Sequence, residues 1–160
     1  VLIINDLSPI LLEGKGGKMR YVRILAEELA NRGLNVHVLS LSNRNKIIRK
    51  GKVTFHEITG IIGHLPIYSN PKAIYHPPFP IPAVSKAINH VIEKGKIDIV
   101  NAHDWIVFST LGLKKKPNKI PIVVTLHDYG LLCTNKGLMR RWSICKKPLT
   151  PYCVECSKAI

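Results

Sequence analysis

Apolar residues along the chain fall into two kinds of pattern, short unbroken runs and longer stretches spaced at helical intervals. VLIIN at residues 1–5 is apolar up to its final position, as expected of a strand covered on both faces. After a loop from Asp6 to Gly17, the residues Met19, Val22, Leu25, Ala26, Leu29 and Ala30 recur at steps of three and four. Arg20, Arg23, Glu27, Glu28 and Arg32 take the other side, so this stretch predicts an amphipathic helix stopped by Gly33. LNVHVLSL (34–41) and VTFHEI (53–58) read as strands separated by a polar, basic connection, SNRNKIIRKGK.

From Leu65 to Pro82 six prolines fix torsions and remove backbone donors, so no regular element crosses this stretch. Ile67, Tyr68, Ile74, Tyr75, Phe79 and Ile81 anchor it as an ordered loop. Pro82 suits a first helical position, and Val84, Ala87, Ile88, Val91 and Ile92 give the following helix one apolar face, ended by Gly95. IDIVNA (97–102) is a fourth strand. WIVFSTLGL (105–113) predicts a buried helix with Asp104 as its N-cap and Pro117 as its stop, and IPIVVTL (120–126) a fifth strand. Short apolar strands alternating with helices imply parallel pairing, an α/β fold with a doubly wound, mostly parallel sheet. After Leu132 the periodicity fades.

Length and composition fit one domain over residues 1–160, with 46% hydrophobic residues and no apolar run of the roughly 18 residues a membrane span needs. No basic, apolar leader opens the sequence, and a soluble, cytoplasmic protein is the expectation. Charge adds a bias. Twenty-four Lys and Arg against ten Asp and Glu give +14, which favours anionic partners: nucleic acid, anionic lipid or phosphorylated substrates. The basic residues cluster at Arg44–Lys52, Lys114–Lys119 and Arg140–Lys147. The first two clusters contain no aromatic residue to stack on bases, which argues against nucleic acid.

In an open parallel sheet, ligands bind beyond the carboxyl ends of the strands. Those ends here are polar: Asn5 and Asp6, Ser40 and Ser42, His103 and Asp104, His127 and Asp128. The glycine cluster EGKGGKM (13–19) precedes the first helix, where bare amides and the helix dipole attract anions. Two nucleotide motifs fail on spacing. A dinucleotide fingerprint needs glycine where Met19 stands, and a P-loop needs Ser or Thr after Gly17-Lys18. What remains is a longer glycine loop able to bring main-chain donors close to a sugar or phosphate.

Cys133, Cys145, Cys153 and Cys156 lie within two dozen residues, and CVEC (153–156) has the gap with which paired thiolates chelate one metal. A structural zinc, two disulfides and unlinked thiols all remain open. In each case the cysteines would staple a loop and take no part in catalysis.

Taken in order, GKGGKM, LAEELANRGLNVHVLS (25–40), PPFPIP (77–82), IDIVNAHDW (97–105) and IPIVVTLHDYGLLC (120–133) resemble the N-terminal Rossmann-like domain of retaining glycosyltransferases of family 4, which have the two-domain GT-B fold. The resemblance implies that Gly16 and Gly17 lie near the donor phosphate or the transferred sugar and that His127 is the catalytic-site histidine contacting that sugar. His103, Asp104 and Asp128 would then flank the cleft, with Gly130 replacing a tryptophan found in similar proteins. It further implies a nucleotide-sugar co-substrate, bound mainly by a C-terminal domain outside these 160 residues. The acceptor would be a saccharide or lipid-linked molecule, and the surface a basic one suited to attachment at the inner face of an anionic membrane. The fragment alone would be inactive. A competing reading is a non-catalytic basic binding module, for nucleic acid or an anionic surface, with a cysteine-bound structural metal. It leaves the glycine loop and the strand-end histidines unexplained.

Overall fold

The computed structural model describes residues 1–10, 16–42, 44–59, 76, 79–111, 113, 120–133, 137–140, 143–147, 151 and 153. Most of the proline-rich stretch expected from Leu65, the Lys114–Lys119 cluster and Cys156 lie outside the described residues. The chain divides into two units, Val1–Thr125 and Leu126–Ile160.

In the first unit, β1 (Leu2–Asn5) is buried along its whole length, because it lies in the middle of a six-stranded sheet. Beside it run β2 (Val36–Ser42) and β5 (Val100–His103), both parallel to it. Beyond β2 come β4 (Val53–Thr59), parallel, and β3 (Lys46–Lys50), antiparallel, while β6 (Ile122–Thr125) pairs parallel with β5. The order is β3-β4-β2-β1-β5-β6. Two apolar layers explain the unbroken run in β1. Leu2 and Ile4 pack with Leu39, Leu41 and, from α2 (Pro82–Gly95), Val84, Ile88, Val91 and Ile92. Ile3 points the other way, toward Val36, Val38, Val53, Phe55 and, from α1 (Gly17–Asn31), Val22, Ala26 and Ala30.

The fold class follows the sequence expectation, and four details differ. First, KIIRK is a strand, not a connection: Ile48 stands opposite Phe55 and packs on the α1 side, and Gly51, at φ 58°, turns the chain back into β4. Its charged residues hid it, and they are what an edge strand carries to deter pairing. Second, Gly95 does not stop α2 by its own backbone. Lys96 takes the left-handed turn at φ 48°, while Gly95 fits a close approach, since a Cβ there would lie 3.2 Å from the His37 ring and 3.1 Å from Ile97. Third, the described residues from Asp104 to Leu113 are helical as expected, a 3₁₀ turn at Asp104–Ile106 leading into α3 (Val107–Thr110) with 3₁₀ geometry again at Leu111 and Leu113, but Asp104 does not cap them through its side chain. Fourth, β6 has no strand on its far side among the described residues, and Val123 and Val124 are 47% and 44% exposed.

The second unit contains a short antiparallel hairpin, β7 (Met139–Arg140) with β8 (Ser143–Ile144), which the sequence pattern did not indicate. Leu138 enters it at φ 52°, and the Cys145 N–H closes it on the Leu138 carbonyl at 2.8 Å.

Candidate functional site

The strand order reverses direction at β1: β2 and β4 lie on one side of it, β5 and β6 on the other. Connections leaving β1 and β5 therefore diverge, and the carboxyl ends of strands at such a switch point are where open sheets generally bind ligands. α1 begins over this point. Gly16 stands at its N-cap with φ 90° and no side chain to cap it, and Gly16 and Gly17 are both exposed. The first amides of the helix are thus presented as donors.

One side chain ties this corner together. Lys18, in the first turn of α1, reaches Asp6 Oδ1 at 2.6 Å and Asp104 Oδ2 at 2.9 Å. Asp6 follows β1 and Asp104 follows β5, and both are buried. Burial opposes charge on Lys18, but the two carboxylates outweigh it and hold the ammonium above its ordinary value, so Lys18 stays protonated at neutral pH. Asp104 takes this position at φ 55°, a conformation non-glycine residues rarely adopt. Beside it, His103 is fully buried at the end of β5, and the Tyr21 ring of α1 meets it edge-on, with centroids 5.9 Å apart. Asn5 donates through Nδ2 to the Leu7 carbonyl at 2.7 Å, while its buried Oδ1 has no partner among the described residues.

A second polar chain borders the first. Ser8 donates to Glu57 Oε1 at 2.8 Å, and Arg44 Nε approaches Glu57 Oε2 at 3.3 Å, so the only buried glutamate among the described residues is bracketed by a hydroxyl and a guanidinium. Ser40 and Ser42 end β2 as expected and are buried. Farther away, buried His76 Nε2 lies 2.6 Å from Ser109 Oγ, which also accepts the Ile81 N–H at 2.9 Å. This serine–histidine contact is sealed from solvent and braces the start of α2; it is not an arrangement for nucleophilic attack.

Of the residues expected at the site, Gly16, Gly17, His103 and Asp104 meet at one corner of the first unit, joined through Lys18. His127 and Asp128 belong to the second unit. There His127 is exposed, and Asp128 Oδ1 accepts the Gly130 N–H at 2.7 Å, the bond of an Asx turn, while the Leu132 and Cys133 amides close on the Tyr129 carbonyl. Among the described residues no three His, Cys, Asp or Glu side chains gather to hold a metal ion. Cys133 is buried, Cys145 and Cys153 are half-buried, and Cys156 lies outside the described residues. Lys18, Glu57, Ser8 and Ser109 were not singled out as functional from the sequence. Only Lys18 carried a local signal, its place directly after Gly16-Gly17.

A mostly parallel sheet with exposed glycines, a helix start and buried ion pairs gathered at its switch point defines an α/β domain with polar groups at its strand ends. Residues 15–160 match Glycosyltransferase Family 4, and the chain belongs to that family. No curated protein matches the chain. Membership supports a glycosyltransferase-type function and implies, in general terms, a sugar donor and an acceptor. Among the described residues no helix is long and apolar enough to cross a membrane.

Proposed function

We propose that this chain is the acceptor-side domain of a retaining hexosyltransferase, which moves a sugar from a nucleotide-sugar to a saccharide or lipid-linked acceptor. The supporting observation is the corner where Gly16 and Gly17 amides, Lys18, Asp6, His103 and Asp104 converge at the switch point. In the transfer, the bond between the anomeric carbon and the diphosphate oxygen breaks and the acceptor hydroxyl forms the new bond on the same face. The hydroxyl proton leaves toward the departing phosphate. The Gly16 and Gly17 amides face the donor phosphate or transferred sugar. His127 contacts the transferred sugar as the catalytic-site histidine, with Asp128 shaping its turn, and a second domain supplies the donor-nucleotide pocket. The enzyme works in the cytoplasm and attaches reversibly to an anionic membrane through its basic residues.

The test uses the full-length protein and a panel of UDP-, GDP- and ADP-sugars, with product anomers read by NMR. Transfer with retained configuration is expected from at least one donor, and His127→Ala should lower kcat by about 100-fold without changing Tm. Inverted product, or undiminished turnover in that variant, refutes the corresponding part of the reading.

A further inference from the structure

We infer that Lys18 is a positioning residue that locks the glycine turn of α1 onto both strands framing the switch point, and is not itself a ligand for phosphate. The inference rests on the proposed transferase reading for its functional half only.

Three separate elements meet at one ammonium. Asp6 fixes it to the end of β1 at 2.6 Å and Asp104 to the end of β5 at 2.9 Å, although Asp104 lies 86 positions away in the chain. An ammonium is a compact charge with three donors, and two of them are spent on buried carboxylates. The Lys18 side chain is 14% exposed. With two of its three donors engaged by buried carboxylates, Lys18 has little left to offer a phosphate. Its effect on a ligand passes through the backbone instead. Gly16 and Gly17 lie immediately before it and have no side chains with which to hold the turn; the Gly16 carbonyl takes only the Arg20 N–H, at 3.4 Å. A Cβ built on Gly17 would meet no atom of another segment within 4 Å. The Lys18 tether is therefore what sets where the first amides of α1 point, and it holds Asp104 in its left-handed backbone conformation.

The test compares the full-length wild type with Lys18→Met, Lys18→Arg and Asp104→Asn. Hydrogen exchange of the amides at residues 16–19 reads the tether without any substrate. It should accelerate about tenfold in Lys18→Met and partly in Asp104→Asn, and return toward wild type in Lys18→Arg, whose fork also reaches two carboxylates. Unchanged exchange in folded Lys18→Met or Asp104→Asn overturns the tether. Sugar transfer reads the consequence: with the donor the wild type accepts, kcat should fall about 10- to 100-fold in Lys18→Met, with recovery in Lys18→Arg. A rise in donor KM alone, with kcat intact and no rescue by arginine, would mean a direct phosphate ligand and would overturn the positioning role. If Lys18→Met does not fold, Asp104→Asn carries both readouts. A wild type that transfers no sugar refutes the transferase reading, while the exchange comparison still decides the tether.

Discussion

Gly16 and Gly17 are neighbours, yet a methyl group means different things at each. At Gly16, φ is 90° and a Cβ would sit 3.3 Å from the Met19 Cε, so Gly16→Ala should cost about 1–2 kcal/mol and lower Tm. At Gly17 the backbone is helical and no atom lies within 4 Å of the added carbon, so Gly17→Ala should leave stability unchanged or raise it by about 0.5 kcal/mol. Thermal melts check both, and lost sugar transfer in a stable Gly17→Ala would report a ligand lying against that backbone. A second residue-scale prediction concerns pH. Burial, then His37 and then His90, lowers His56 to about 4, and its ring stacks on His37, which burial and neighbouring positive charge including Arg49 also lower. Unfolded histidine binds a proton near 6.5, so between that value and about 4 the unfolded chain holds more protons. Stability should be whole above about pH 6.5 and fall as pH drops toward 4, by about 1–2 kcal/mol once partial exposure of the rings is allowed for. Urea titrations at a series of pH values should show this slope reduced in His56→Gln; an unchanged slope would assign the acid sensitivity elsewhere. The polar strand ends, Asp6, His103 and Asp104, were legible because a buried run that stops on a charge advertises itself. Their joining by Lys18 was not, since nothing local signals a partner 86 residues away.

Elements were legible where burial alone sets their pattern. α2 begins at Pro82 and ends at Gly95 as the sequence indicates, and β1, β2 and β4 fall within a few residues of their apolar runs. The misread elements share a cause, which is that neighbours determine them. β3 is specified by the edge of β4, and Asp104, expected to cap the helix after β5, is engaged by Lys18 instead. Ser109, in α3, shows how one such element supports another. Its hydroxyl takes the Ile81 N–H that α2 leaves open at its start and contacts His76, while its carbonyl accepts Ser85 Oγ at 2.8 Å. Ser109→Ala would leave a buried amide and an imidazole nitrogen without this partner, so a loss of about 1–3 kcal/mol is expected. Ser85→Ala, at a half-buried site, should cost less. Chemical denaturation of both variants tests the ranking, and equal costs would mean that His76 and Ile81 find other partners.

At the scale of the whole molecule, the +14 charge was readable from composition, but the surface displaying one of its clusters was not, because that surface is the unforeseen strand β3. Lys46, Arg49 and Lys50 are exposed along this edge, and Ile47 among them is 68% exposed. Exposed cations alternating between the two faces of an edge strand, with an exposed isoleucine among them, suit a surface with anionic headgroups and shallow hydrocarbon better than they suit bases, since β3 contains no aromatic ring for stacking. Each cation near such a surface contributes about 1 kcal/mol, and screening shortens its reach from about 10 Å at 0.1 M salt to about 3 Å at 1 M. The protein should therefore sediment with phosphatidylglycerol vesicles at low salt, release at about 1 M, and ignore phosphatidylcholine. Replacing Lys46, Arg49 and Lys50 together by glutamate should weaken the association by at least about 100-fold. If that triple variant still binds vesicles as tightly, the attachment lies on another face. If the wild type instead binds short RNA with a steep salt dependence and leaves vesicles in solution, the charge serves nucleic acid, and the membrane role proposed for this edge is wrong.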